Sequence, residues 1–194
     1  MYLASKSYQM SVQIQRRLFT VNEYNKMAEA GILPQHGVEL INGEIINMSP
    51  IGIRHNAMVS KLTHFLVEQV GPNGLVFPQC AFKASEHTQP EPDLALAKFR
   101  SDYYINAMLC GVDLFLLIEV SDTTFNYDTK LKRDLYASAD VPEYWVIDLN
   151  KQKVHVYWNN QERAYQNTKV YKKGETLKAQ GIDLTLEMDW LWTW

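Results

Sequence analysis

The sequence predicts a mixed α/β (α+β) fold, a central sheet flanked by helices with a β-hairpin near the N-terminus. Three observations carry that prediction. Leu114–Ser121 (LFLLIEVS) is apolar on both strand faces, as expected of a central strand covered on each side. Asn42-Gly43 separates VELI from EIIN, and this pair tolerates the positive φ values that a two-residue hairpin turn demands. The patterns then run helix, hairpin, helix, strands, helix, strands, with no internal repeat or linker between them.

Met1 to Arg17 are polar and mixed, without an apolar segment of the signal-peptide kind, so residues 1–18 read as a tail and 19–194 as one domain. Thr20 and Glu23 form a capping box, with Phe19 and Tyr24 placed as a hydrophobic staple, for a helix over Val21–Ala30 that stops at Gly31. A second helix is expected from about Arg54 to Val70, with Met58, Leu62, Phe65, Leu66 and Gln69 at helical spacing and Gly71-Pro72 ending it. Strands are expected at about Val76–Lys83, Asp93–Ala97 and Leu114–Ser121. A short amphipathic helix follows over Tyr127–Ala139; Leu131, Leu135 and Ala139 mark its apolar arc, Lys132 falls at the edge, and Lys130 lies on the polar face. After Pro142, EYWVIDL and KVHVYW read as two strands joined by a tight Asn150-Lys151 turn. Ala164–Trp194 reads as further strand and turn, ending in the alternating Trp190, Trp192 and Trp194.

At 194 residues the chain is long enough to bury a full core, roughly 70% of its unfolded surface. Its 46% hydrophobic and 21% charged residues are those of an ordinary globular protein. A net charge of -3 excludes a strongly basic nucleic-acid coat and a polybasic membrane binder. No apolar run is long enough to span a membrane, and a cytoplasmic protein is expected. Cys80 and Cys110 lack metal-ligand spacing, which favours free thiols over zinc. No GxSxG, HExxH or P-loop pattern is present.

The chemistry lies in acids at unusual places. Glu119 is flanked by Ile118 and Val120 within an apolar strand, where an unpaired carboxylate is costly to bury. Asp93 stands at the mouth of another apolar strand, directly after Pro92. A strand-end carboxylate is ordinarily a turn former or a surface ion-pair partner. Two on neighbouring strands could converge only if a cation or a shared proton intervenes. Hard oxygen ligands of this kind suit Mg²⁺. Lys132 would complete such a site by laying its stem along the sheet with its ammonium near the carboxylates.

Five segments in order, VELINGEIINMSP, the RHN that follows at the head of a helix, EPDLALA, LLIEVSDTT and KLKRDLYASADVPEYWVIDL, resemble the Uma-type restriction-endonuclease-like family, a bacterial branch of the PD-(D/E)XK nuclease superfamily. The resemblance runs from about Phe19 to the C-terminus and is most specific from Lys132 to Asp148. It implies a restriction-endonuclease-like mixed sheet in which Asp93 is the acid of "PD" and Glu119 the acid of "(D/E)XK". The lysine expected two residues after Glu119 is absent, that position being Ser121, and Lys132 on the next helix matches the migrated lysine of the family. Asp140 stands where the family has glycine, at a turn whose left-handed conformation Asp tolerates.

The resemblance further implies metal-assisted phosphodiester hydrolysis by Asp93, Glu119 and Lys132. Mg²⁺, with Mn²⁺ as a substitute, would be held by Asp93, Glu119 and a main-chain carbonyl such as that of Val120. Glu39 and His55 match supporting positions. The implied partner is nucleic acid, DNA in the first place, bound with modest, salt-sensitive affinity given the acidic balance. The competing reading is a catalytically inactive nucleic-acid- or protein-binding member of the same fold. No membrane partner is expected. The tryptophan-rich C-terminus would suit either a homodimer contact or folding back onto the sheet.

Overall fold

The computed structural model describes residues 16–34 and 36–194, so most of the expected N-terminal tail lies outside the described residues. Helix α1 (Val21–Glu29) carries the predicted capping box: Thr20 Oγ1 accepts the Glu23 amide and the Glu23 carboxylate accepts the Thr20 amide at 2.9 Å. Phe19 and Tyr24 pack in one small core with Val21, Val38 and Leu40. Strands β1 (Val38–Ile41) and β2 (Glu44–Asn47) form the hairpin, turning through Asn42 and Gly43 at φ 51° and 80°. A Cβ on Gly43 would stand 2.6 Å from Leu18 Cβ, so close approach as well as backbone sign requires glycine. Leu40 exchanges both backbone hydrogen bonds with Gln89, which anchors the hairpin to the segment leading into the main sheet.

Helix α2 (Ile53–Val70) buries Met58, Val59, Leu62, Leu66 and Val70. Gln69, expected on the inner face, is exposed, and Val70 takes the inner place. The main sheet comprises β3 (Gly74–Pro78), β4 (Leu94–Lys98), β5 (Leu114–Ser121), β6 (Glu143–Asp148), β7 (Lys153–Gln161) and β8 (Ala164–Tyr171), hydrogen-bonded in that order. Only the β5–β6 pair is parallel. Strand β3 ends well before Lys83 because Pro78 lacks an amide and Gln79 turns the chain at φ 46°. The turn after β6 spans Leu149 to Gln152 rather than two residues; Asp148 Oδ1 accepts the amides of Asn150 and Lys151 and holds it closed. Asp140 adopts the expected left-handed conformation at φ 61°.

Strand β5 is covered on both faces. Met58, Leu62 and Leu66 of α2 pack with Leu116, Ile118, Trp145 and Ile147 on one side. Leu117, Tyr144 and Val146 pack with Tyr136 and Phe82 on the other. That second face is covered by an unbroken helical run, α3 (Phe125–Tyr127), a π turn (Asp128–Lys132) and α4 (Arg133–Ser138). The Arg133 amide bonds back to the Asp128 carbonyl, five residues away, so the turn holds one residue more than an α-helix. This shifts the inner face to Asp128, Thr129, Lys132, Tyr136 and Ala137. It expels Leu131, which is 39% exposed, correcting the arc drawn through Leu131, Leu135 and Ala139.

A two-stranded sheet of β9 (Thr176–Lys178) and β10 (Thr185–Glu187) precedes the one-turn helix α5 (Met188–Leu191). The terminal tryptophans therefore do not alternate along a strand. Trp192 is buried, Trp190 lies 4.8 Å from the Phe65 ring, and Lys61 of α2 donates to the Trp190 carbonyl at 2.7 Å. Trp194 remains 69% exposed. Cys80 and Cys110 are free thiols, and among the described residues no helix is long and apolar enough to cross a membrane.

Gly111 lies against the end of α4, where an added Cβ would stand 1.9 Å from the Ala139 carbonyl oxygen. That neighbour is backbone and cannot rotate away. Gly111→Ala is expected to destabilise the fold by at least about 1–3 kcal/mol, read as a lower midpoint in urea unfolding.

Candidate active site

Sheet register brings the first two acids together. Leu94 of β4 pairs with Ile118 of β5 in an antiparallel ladder, so Asp93, one step earlier, meets the level of Glu119, one step later. Both side chains follow the strand face that carries Ala95 and Leu117. Asp93 Oδ2 accepts the Val120 amide at 2.8 Å and lies 2.9 Å from His55 Nε2, in the first turn of α2. The Asp93 amide approaches Glu119 Oε2 at 3.4 Å.

The π turn and the hairpin supply the rest. Lys132 Nζ donates to Glu119 Oε1 and to Glu39 Oε1, each at 2.9 Å, with all three side chains at most 6% exposed. Tyr136, one helical turn further, donates its hydroxyl to the same Glu119 oxygen at 2.6 Å. Glu39 Oε1 also accepts the Glu91 amide at 2.8 Å, which ties the hairpin to the chain just ahead of Asp93. Glu39 does not lie on an exposed hairpin face; it is 2% exposed. Asp128, in the π turn, accepts the hydroxyls of Ser121 (2.8 Å) and Thr124 (2.5 Å). Ser121, the residue that stands in place of the motif lysine, thus bonds the turn that delivers Lys132.

These groups set one another's protonation. Burial alone would lower the Lys132 pKa, but the carboxylates of Glu119, Glu39 and Asp128 outweigh it, and the ammonium is held above the ordinary lysine value. Glu119 is pushed well above the usual carboxylate range, first by burial and then, against the pull of Lys132, by the charges of Asp93, Asp128 and Glu39. Burial also raises Asp128. For His55, burial works downward, but the hydrogen bond and charge of Asp93 win and raise the imidazole.

Asp93, Glu119, Lys132, Glu39 and His55 therefore form one connected chain of contacts, with Val120 joined to it through its amide. Tyr136 and Asp128 belong to the same cluster although neither stood out as a site residue in the sequence. Their one available signal is the spacing Asp128, Lys132, Tyr136, each four residues apart.

The donor set fits a hard divalent cation. Buried carboxylates are gathered here: Glu39 and Glu119 contact the Lys132 ammonium, Asp128 acts on it through its charge, and Asp93 lies beside Glu119. Asp93 Oδ1 has no hydrogen-bond partner there, and Glu119 Oε2 has only the long contact to Asp93. Among the described residues no group of three or more His, Cys, Asp and Glu side chains is arranged to hold a metal ion, so a cation here would rest on Asp93 and Glu119 with water completing its shell.

Replacing Lys132 by Met leaves Glu39 and Glu119 buried without their counter-ion. The expected loss is about 3–5 kcal/mol in urea unfolding, partly recovered when Glu39→Gln and Glu119→Gln are combined with it.

The family model described as "Putative restriction endonuclease" (Uma2) matches residues 21–190. Among solved structures, one described as a "putative nuclease belonging to DUF820" from Anabaena variabilis superposes with a TM-score of 0.68 at 20% identity, covering 89% of this chain and 97% of that one. At that identity the likeness shows the fold. A comparison with curated proteins finds no match. With its restriction-endonuclease-like sheet and a family match over nearly its whole length, the chain belongs to the Uma2 restriction-endonuclease family.

Proposed function

We propose that this protein is a metal-dependent endonuclease that hydrolyses phosphodiester bonds in nucleic acid, DNA in the first place, with Asp93, Glu119 and Lys132 at its centre. The observation that carries this reading is the Lys132 ammonium 2.9 Å from Glu119, whose carboxylate also meets the Asp93 backbone amide, on a family member of nuclease fold. When bound, Mg²⁺, or Mn²⁺ in its place, would supply activation of water and stabilisation of the leaving oxygen. Asp93 and Glu119 would hold it, with the Val120 carbonyl as a further ligand. In the net reaction a water oxygen bonds to phosphorus, the bond from phosphorus to a sugar oxygen breaks, and that oxygen leaves with a proton.

The chain's own groups have separable tasks. Lys132, held protonated, acts as a fixed positive charge that orients the water and offsets charge growing on the phosphoryl oxygens; it is not the base. Glu39 fixes the ammonium and Tyr136 the Glu119 carboxylate. His55 orients Asp93. Exposed cations on α2 (Arg54), the π turn (Lys130) and the turn after β6 (Lys151) are candidates for phosphate contacts, Arg54 while also donating to the Leu149 carbonyl at 2.7 Å. So few contacts give modest affinity, with a salt dependence of roughly 0.9 per neutralised phosphate.

The test is cleavage of plasmid and single-stranded DNA with Mg²⁺ or Mn²⁺. Wild type is expected to cut and to stop on chelation. Asp93→Ala and Glu119→Gln should fall by roughly 100-fold or more, and Lys132→Ala likewise where it folds. Equal cleavage by all four would contradict the assignment. Absence of cleavage with nucleic-acid binding retained would favour the inactive binding member.

A further inference from the structure

One hydroxyl of the site has no partner. Tyr127 closes α3 immediately before the π turn, with its ring 5.9 Å from Lys132 Nζ. Its Oη is buried and makes no hydrogen bond. A buried unpaired donor costs about 1–3 kcal/mol, which a phenylalanine in the same place would avoid. Three oxygens of the cluster are already supplied, Glu119 Oε1 by Lys132 and Tyr136, Glu39 Oε1 by Lys132 and the Glu91 amide, and Asp128 Oδ2 by Ser121 and Thr124, and the Tyr127 hydroxyl reaches none of the remaining ones. An unpaired donor on a ring that an ammonium overlies is a group that an anionic oxygen can fill.

We propose that Tyr127 is a further catalytic residue, whose hydroxyl donates to a non-bridging oxygen of the scissile phosphate beside Lys132. The assignment rests on the nuclease reading above. Burial first, and then the negative charge of Glu39, raise the phenol to about 12, so it remains a donor across the working pH range. The bond forms only when substrate is present, and its contribution is therefore made to turnover and not to the free protein.

The test compares Tyr127→Phe with Tyr165→Phe, which deletes a second buried, unpartnered hydroxyl that lies outside the site. Cleavage of a labelled single-stranded oligodeoxynucleotide with Mn²⁺ is measured together with Tm. Tyr127→Phe should lose roughly 100-fold in kcat, with KM changed by less than about threefold, and should melt at or above wild type. Tyr165→Phe should cut like wild type. Sulfur in place of a non-bridging oxygen should slow wild type more than Tyr127→Phe. Wild-type turnover by Tyr127→Phe, beside an inactive Asp93→Ala, would overturn the role of Tyr127 and leave the nuclease reading intact. A lost rate accompanied by a lowered Tm and an unchanged sulfur effect would make Tyr127 a packing residue and also overturn it. Absence of any Asp93-dependent cleavage would overturn both.

Discussion

The Lys132 ammonium, buried between Glu39 and Glu119, is the interaction on which the arrangement depends. A charge taken out of water is tolerable only when its partners are placed with good geometry and their remaining lone pairs are satisfied. Here the partners come from three separate parts of the chain. Glu39 is delivered by the hairpin, Glu119 by the central strand and Lys132 by the helical run after it. None of these can move independently without leaving a buried charge unpaired. The same cluster that assembles the site therefore locks the hairpin and the π turn onto the sheet.

The cluster joins its members through hydrogen bonds but is not balanced in charge. Two of its carboxylates share Lys132, while Asp93 engages a backbone amide and His55, and Asp128 engages two hydroxyls. Burial first, and then the excess of negative charge, raise Glu119, and the same charges stabilise the ammonium. In a folded protein such an excess is an energetic cost unless a cation or a proton offsets it. This is the physical link between the packing of the fold and the chemistry proposed for it.

Much of the fold was legible because local chemistry and tertiary packing agree. Asn42-Gly43 marked the hairpin, Thr20 and Glu23 the start of α1, and LFLLIEVS the doubly covered strand, each from residues whose backbone or burial preference has few alternatives. The first two acids stood out for the same reason, as carboxylates in apolar strands. What stayed hidden depends on features without a local signature. The π turn breaks the helical period by one residue, so Leu131 was assigned inward and Asp128 and Thr129 were overlooked. Glu39 reads as a solvent-facing hairpin residue until the bonds between Leu40 and Gln89 seat that strand over the site. The contacts of Tyr136 and Tyr127 depend on sheet register and helix rotation together, which no single segment encodes. The Trp190–Trp194 alternation imitates a strand, but Trp190 lies in a short helix that ends before Trp192, and Lys61 caps the Trp190 and Leu191 carbonyls.

The central claim is that Asp93 and Glu119 together hold a divalent cation. Thermal unfolding with and without Mn²⁺ tests it without reference to turnover. A cation at a hundred times its dissociation constant stabilises the folded state by about 2.7 kcal/mol, or roughly 5–10 °C for a domain of this size. Wild type is predicted to show that rise and Asp93→Ala to show none. An equal rise in both, or none in wild type at saturating Mn²⁺, would contradict the account.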